Sequence, residues 1–318
     1  MPACAICRPK YLPGELIEGS IDIALAINPT NGPSLQALKP ITSDAILVHP
    51  YIAVVTRKYW RTNGVRLTVQ FLDNPPNDLR ARILSHMNAW SSRLNAQFTE
   101  TAGTGQVRLA RTPGDGYWSY LGTDILSIPA DQPTMNLDSF SMQTPEAEYH
   151  RVVRHETGHT LGCPHEHMRR ELVAKIDPQK AIDYFQATQG WTPDQTRAQV
   201  LTPIEESSLW GTAHTDPNSI MCYQIPGTIT VDGNPITGGT DIDDTDFAFM
   251  EQVYPKVVMS APATTGPAAT GPAATALSAP ARALAEPASF ESDAMISALI
   301  EKNRSLAHKV FQAHKPGT

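Results

Sequence analysis

Apolar and polar residues alternate along several short stretches of the chain, which is the pattern of a strand with one buried face. In residues 65–71 every second side chain is apolar and the ones between are polar or charged. This alternation predicts a half-buried strand. Residues 106–111 alternate in the same way and predict a second strand. Two further short strands are expected at 117–121 and 134–137, separated by a loop with two prolines.

Apolar residues spaced three or four apart predict the helices. The clearest pattern runs over 77–95, and its predicted buried stripe consists of Leu79, Ile83, Met87, Trp90 and Leu94. Further helices are expected to begin at Glu146 and at Asp243, and shorter ones to occupy 177–185 and 191–200. Aspartates at 243–246 are typical of a helix cap and an acidic first turn.

The two ends of the chain have a different character from its middle. Residues 16–27 have helical spacing, and 45–55 predict a strand interrupted by Pro50, so the N-terminal part is either a pro-segment or an extension packed on the domain. Residues 257–289 are rich in Ala, Pro and Thr, which is typical of a linker. Residues 291–311 predict an amphipathic helix whose apolar side consists of Met295, Leu299, Leu306 and Val310.

These patterns divide the chain into an N-terminal segment (1–56), a central domain (57–256), a linker (257–290) and a helical tail (291–318). The partner of the tail helix is left open between the central domain, another protein and an export machinery, and weak or absent docking is the default expectation. The 318 residues contain 41% hydrophobic residues, enough for a sizeable core.

The formal net charge of −7 argues against nucleic acid as the main partner, because phosphate binding requires a basic surface. We expect no membrane span, since no apolar run approaches about 20 residues. The first ten residues lack the basic and apolar regions of a standard signal peptide. Either the protein remains in the cytoplasm, or it leaves by another route, or a leader is missing.

Four cysteines are too few for a disulfide-built fold. Cys4 and Cys7 allow four interpretations: half of a zinc site, a redox pair, a thiolate that blocks a catalytic zinc, or two unremarkable cysteines in a flexible start. Cys163 and Cys222 are either paired or two buried thiols, because sequence alone does not give their separation.

One motif carries the chemistry: residues 155–165 read H-E-x-x-H-x-x-G-x-x-H. His155 and His159 lie four apart and therefore on one face of a helix, where two imidazoles can bind one zinc ion. Gly162 can end that helix and let His165 return as a third ligand. Three protein ligands leave a fourth position for water, as in a catalytic zinc site. Glu156 is then the candidate general base.

A chance H-E-x-x-H in a helix is the alternative, and the added glycine and third histidine argue against it. The remaining histidines, His86, His150 and His167 among them, lack paired spacing and are expected on the surface or in the core.

The extended motif together with Ser219-Ile-Met221 resembles the metzincin zinc endopeptidases, whose motif is followed by a methionine turn. Three features resemble the astacin-like branch within them. They are Glu166 in the run His165-Glu-His-Met-Arg169, Tyr223 two residues after the methionine, and Tyr117-Trp-Ser-Tyr-Leu-Gly122.

The resemblance implies an α+β fold with a twisted, mostly parallel sheet, an antiparallel edge strand, long helices and an irregular C-terminal subdomain that ends in a helix. It implies one zinc ion, Met221 beneath it, and Tyr223 as a loose further ligand that stabilises the oxyanion. Trp118 and Tyr120 are candidate substrate-binding residues, because substrate is expected to pair with an edge strand within 117–137. Glu166 is a candidate partner for a new N-terminus after processing.

The predicted activity is therefore zinc-dependent hydrolysis of internal peptide bonds in protein or peptide substrates, by a monomer that acts outside the cell. The alternative function is a catalytically weak zinc-binding interaction module that acts through its cleft or its tail helix. Two residues depart from the expected pattern: Cys163 replaces an aromatic residue, and Gly158 lies inside the metal helix. We interpret Gly158 as room for a close backbone neighbour.

Overall fold

Five strands form one sheet in the order β2-β1-β3-β5-β4. The computed structural model describes residues 7, 8, 10–32, 57–204, 215–256 and 293–313. The strands are β1 Val65–Phe71, β2 Ala96–Glu100, β3 Val107–Ala110, β4 Tyr117–Ser119 and β5 Met135–Leu137. β1, β2, β3 and β5 run parallel, and β4 pairs antiparallel with β5 at the edge. The predicted mostly parallel sheet with an antiparallel edge strand is confirmed.

The sheet differs from its prediction at two strands, β3 and β2. β3 is buried along all four residues, although alternation predicted one exposed face. Its Arg108 is fully buried because its guanidinium donates to the backbone carbonyls of Gly105, Gln132 and Ile128. β2 was not predicted, because in so short a strand only Ala96 and Phe98 supply the apolar alternation.

Helix α1 (Gly14–Ile27) belongs to the N-terminal segment and lies against the main hydrophobic core through Leu16, Ile23 and Ile27. Asn31 after the helix exchanges hydrogen bonds with the backbone of Tyr59. Residues 10–32 are therefore packed on the domain, and whether they are a pro-segment or an extension stays a prediction. The strand predicted at 45–55 lies outside the described residues.

Helix α2 (Asn77–Met87) is shorter than the predicted 77–95, and a 3₁₀ turn (Trp90–Ser92) follows it. Asn88 explains the early end, because its side-chain amide exchanges hydrogen bonds with the backbone of Phe98 in β2 and turns the chain into that strand. All five residues of the predicted stripe are buried.

Helix α3 begins with Glu146–Glu148, continues as a π-helical stretch (Tyr149–Val153) and ends as Arg154–Thr160. After it come α4 (Arg170–Val173), α5 (Pro178–Gln189), α6 (Pro193–Thr196) with a π-helical stretch (Arg197–Leu201), and α7 (Asp244–Val253). Asp243 caps α7 in a capping box with Asp246, as its sequence predicted.

The tail helix α8 (Asp293–Ala313) packs against α1 and the 3₁₀ segment Gly122–Ser127. The predicted apolar side is wrong in part, since Met295 and Leu306 are exposed and the buried side carries Ile296, Asn303, Ala307 and Val310. The close approach of α1 favours short side chains there over the larger apolar ones. Among the helices described, none is both long and apolar enough to cross a membrane.

Candidate active site

Three imidazoles converge at the C-terminal end of α3. His155 and His159 project from one face of the helix, and Gly162, at φ 102°, turns the chain so that His165 comes back to them. The Nε2 atom of His165 lies 3.2 Å from that of His155 and 3.0 Å from that of His159. The structure thus brings together the three predicted ligands, here called the histidine triad.

The second ring nitrogens show why the triad suits a metal ion. Nδ1 of His155 lies 2.6 Å from the carbonyl oxygen of Ile220, and Nδ1 of His159 lies 2.7 Å from that of Cys163. A carbonyl only accepts, so each Nδ1 carries the proton and each Nε2 presents a lone pair. Burial lowers the pKa of all three imidazoles, that of His159 to about 4, which keeps them neutral. Nε2 atoms that converge at 3.0–3.2 Å, with the lone pairs of His155 and His159 directed inward, suit the coordination of one cation.

Glu156 lies on the same turn of α3 and is fully buried. Burial raises the pKa of its carboxyl to about 8, and its Oε1 has no hydrogen-bond partner within the described part of the chain. A cation bound by the triad would favour the ionised form and bring this pKa down. A carboxylate beside a metal site with one open oxygen has the properties of a general base.

The methionine turn forms the floor of the site. A Cβ atom on Gly158 would lie 2.5 Å from Sδ of Met221, so the glycine makes room for the methionine. The neighbour that we expected to be backbone is therefore a thioether side chain. Sequence reasoning missed Asp246, which accepts from the Ser219 hydroxyl at 2.6 Å and from the Ile220 amide at 3.0 Å. Burial raises its pKa to about 6.

Cys7 lies at the mouth of the triad. Its Sγ is 3.5 Å from Nε2 of His159 and 3.5 Å from Oε2 of Glu156. Sγ and the three imidazole nitrogens all lie within 4.8 Å of one another, close enough to surround one ion. Burial raises the pKa of the thiol in the absence of a cation. Cys4 lies outside the described residues.

A short segment that includes Cys7, Arg8 and Lys10, here called the strap, places Cys7 there. The amide of Arg8 donates to the carbonyl of Tyr117 at 2.8 Å, and Cys7 bridges Tyr117 in parallel, so the strap lies along the edge strand β4. The hydroxyl of Tyr223 donates to the carbonyl oxygen of Cys7. Lys10 places its ammonium 4.4 Å from the ring centre of Trp118. The strap thus occupies the site that the edge strand borders.

Tyr223 is held by residues on both sides. Its ring stacks on His167, with centroids 3.8 Å apart and planes inclined by 17°, and lies 4.5 Å from the ring of His165. His167 is buried in the core, as one of the two expected settings, and its Nε2 bonds to the carbonyl of Gln199. No pattern in the sequence predicted that His167 would stack on Tyr223.

A cleft of about 600 Å³ extends from the triad. It is bordered by Tyr117 of β4, by Arg151 and Val152 of α3, and by residues after the methionine turn. Trp118, in β4, and Tyr120, just after it, are buried with their rings 5.9 Å apart and do not line this cleft. Their contact with substrate stays a prediction.

Two other predictions concern residues near the floor. Glu166 accepts from the amide of Asp216 at 3.0 Å and from the Arg169 guanidinium at 3.3 Å, and it lines a separate small cavity with Met221. Its role toward a new N-terminus stays a prediction. Cys163 and Cys222 are unpaired buried thiols, and Cys163 Sγ lies 3.1 Å from Sδ of Met250.

His86, Glu146 and His150 form a second group, here called the outer cluster, whose donor atoms also lie within 4.8 Å of one another. Oε1 of Glu146 is 3.1 Å from Nε2 of His86 and 3.4 Å from Nε2 of His150. Its Oε2 accepts from Arg82 at 2.6 Å. Arg154 lies 3.3 Å from Nε2 of His150. Guanidinium groups already neutralise and partner this cluster, so we interpret it as an ion-pair network that ties α2 to α3.

Comparison with known proteins agrees with this geometry. A family model described as Astacin, a peptidase family, matches residues 54–183. Zinc metalloproteinase nas-27 of Caenorhabditis elegans is 30% identical over 129 residues, which are 39% of this chain and 27% of that protein. The chain therefore spans about a quarter of that curated relative. The structure of myroilysin is 31% identical, with a TM-score of 0.59 over 63% of this chain and 96% of that one.

Proposed function

Because the chain belongs to the astacin family of peptidases, we propose that it is a zinc-dependent metalloendopeptidase held latent by its own Cys7. The observation that carries the proposal is the histidine triad, whose three Nε2 atoms converge beside the buried Glu156. The proposed substrates are proteins or peptides encountered outside the cell.

The residues of the site divide the chemistry among them. His155, His159 and His165 would hold one zinc ion, which when bound acidifies water and polarises the scissile carbonyl. Glu156 accepts a proton from the attacking water through its free Oε1 and passes it to the leaving amine. Tyr223 donates its hydroxyl to the oxyanion once the carbonyl of Cys7 has left. Substrate takes the place of the strap along β4 and pairs with its backbone.

Latency follows from where the strap lies. Cys7 directs a sulfur, a strong zinc ligand as thiolate, at the position that water needs. The strap also uses the hydrogen-bonding groups of Tyr117 and Tyr223 that substrate and oxyanion require. This favours the blocking thiolate among the four interpretations of Cys4 and Cys7. The interaction-module alternative has no comparable support, since the Glu156 base is intact and placed beside the ligands.

The test compares three proteins on casein and on a quenched peptide library: the unchanged chain, Cys7→Ala, and Cys7→Ala with Glu156→Gln. We expect Cys7→Ala to raise cleavage at least about tenfold over the unchanged chain. The added Glu156→Gln should lower it by about 10² to 10⁴ while zinc stays bound, as measured by elemental mass spectrometry. Equal cleavage with and without Glu156 would show that this site is not the source of activity. Equal cleavage with and without Cys7 would refute the latency.

A further inference from the structure

The tail helix α8 docks on the same N-terminal segment that carries Cys7. α8 contacts α1 and also the 3₁₀ segment Gly122–Ser127. Its buried side is continuous, with Ile296, Asn303, Ala307 and Val310 at intervals of seven, four and three residues. The two ends of the chain therefore form one helical layer on the domain.

Polar contacts fix the register of this docking. Asn303 is buried and donates from Nδ2 to the Ser127 hydroxyl at 2.8 Å, and Arg304 donates from Nε to the carbonyl of Leu126 at 3.1 Å. Gly19 of α1 lies directly against Asn303, where a Cβ would collide with the amide side chain. A buried amide that finds its partner only in one register is a mark of specific packing and not of loose association.

α1 is consequently held from two sides. One side enters the core through Leu16 and Ile23, and Ser20 accepts from the ammonium of Lys58, which also pairs with Asp124 at 3.0 Å. The side that carries Gly19 is covered by α8. Residues 8–13 join Cys7 to the start of α1, and Leu12 among them is buried in the main core, so a shift of α1 would also loosen the anchor of the strap.

We propose that α8 is a clamp on α1, and through α1 on the Cys7 strap, so that latency depends on both ends of the chain. The inference rests on the proposed function for its consequence but not for its structural content. α8 buries its apolar side fully only when α1 is seated beside the 3₁₀ segment, so its docking favours the seated state over the released one. Loss of the tail bares one side of α1 and raises the population in which Cys7 is away from the triad.

The test uses zinc-loaded, full-length protein and two matched substitutions on helix α8. Ala307→Asp places a charge on the buried side, and Leu306→Asp places the same charge on the adjacent exposed side. A chain ending at Lys256 removes the tail altogether. The readouts are the rate of Cys7 alkylation by iodoacetamide, located by mass spectrometry, and peptide cleavage, with Cys7→Ala measured beside the other variants. Hydrogen exchange of residues 293–313 reports whether α8 is docked.

We expect Ala307→Asp and the shortened chain to raise Cys7 alkylation about tenfold or more, and to raise cleavage above that of the unchanged chain. Leu306→Asp should leave both at the unchanged level. Release of α8 without faster alkylation of Cys7 overturns the proposal. So does an α8 that stays docked despite Ala307→Asp, because the described interface cannot hold a buried unpaired carboxylate. If Cys7→Ala itself is inactive, the peptidase proposal fails, while alkylation still decides the clamp.

Discussion

Two groups of histidines lie on or beside the same helix and have opposite electrostatic settings. In the histidine triad, backbone carbonyls hold the Nδ1 protons of His155 and His159, and the Nε2 atoms meet without an anion among them. A cation is the ligand that these converging nitrogen atoms suit best. The close approach of these nitrogen atoms therefore indicates that the ligand of the triad is a cation.

The outer cluster has similar residue types at similar distances but lacks that need. Oε1 of Glu146 lies near Nε2 of both His86 and His150, Arg82 donates to its Oε2, and the guanidinium of Arg154 lies beside His150. Its charges are already balanced by protein groups. The spacing of the donor atoms alone therefore does not distinguish a metal site from an ion-pair network. The distinction depends on the hydrogen-bond partners of the second imidazole nitrogen and of the neighbouring acceptor atoms.

The largest effect should come from removing one ligand of each group. In the Cys7→Ala background, His159→Gln should abolish zinc binding and lower kcat/KM by about 10³ or more, because no zinc is left to activate the water. His150→Gln, the matched change on the same helix, should keep one zinc per chain. Elemental analysis and peptide kinetics measure both. Loss of zinc on His150→Gln would erase the distinction between the two groups.

Chelation should also separate the groups. Stripping zinc from the full chain should lower its thermal midpoint, since a ligand at a thousand times its Kd stabilises by about 4 kcal/mol. The double change His86→Gln and His150→Gln should show the same drop on chelation as the unchanged chain. A chelator-treated protein that has lost its zinc yet melts at the same temperature contradicts the role assigned to the triad.

How far sequence reasoning reached depended on the range of each interaction. The triad and Glu156 were predictable because helix geometry and one glycine bring residues 155–165 together. Cys7 stayed one of several alternatives, because its position depends on the distant partners Tyr117 and Tyr223. The position of the edge strand was predicted correctly. Neighbouring residues of a strand face opposite sides, however, and it is Tyr117 that borders the cleft while Trp118 is buried.

The tail helix shows the same limit in another form. Its periodicity predicted a helix, but the largest apolar residues did not mark its buried side. The close approach of Gly19 to Asn303 sets that side instead, and such a contact between the two ends of a chain leaves no local pattern. Asp246 was likewise read only as part of a helix cap, which it is, while its bonds to the methionine turn come from tertiary packing.

A third test concerns the floor of the triad, which has no spare room. Gly158→Ala should destabilise the chain by about 1–2 kcal/mol, because the crowding against Met221 outweighs the roughly 1 kcal/mol of better helix propensity. Gly14→Ala in α1, where a Cβ meets nothing within 4 Å, is the control and should be neutral or stabilising. Urea unfolding of both zinc-loaded variants measures the difference. If Gly158→Ala is more stable than the unchanged chain, the side chain of Met221 can move aside to accommodate the added methyl group.

The smallest expected effect is a change in pH dependence at the outer cluster. Burial lowers the pKa of His86 below its ordinary value near 6.5, so the unfolded chain takes up this proton at a higher pH than the folded one. Stability from this group is complete above about pH 6.5 and is lost as the pH falls through the lower folded pKa. His86→Gln should therefore flatten the decline in unfolding free energy below pH 6.5. His308→Gln, which removes an exposed imidazole on α8, should leave the slope unchanged. If His86→Gln leaves the pH dependence of the unfolding free energy unchanged, the attraction of Glu146 offsets the effect of burial on the pKa of His86. His86 would then be protonated and paired with Glu146 instead of neutral.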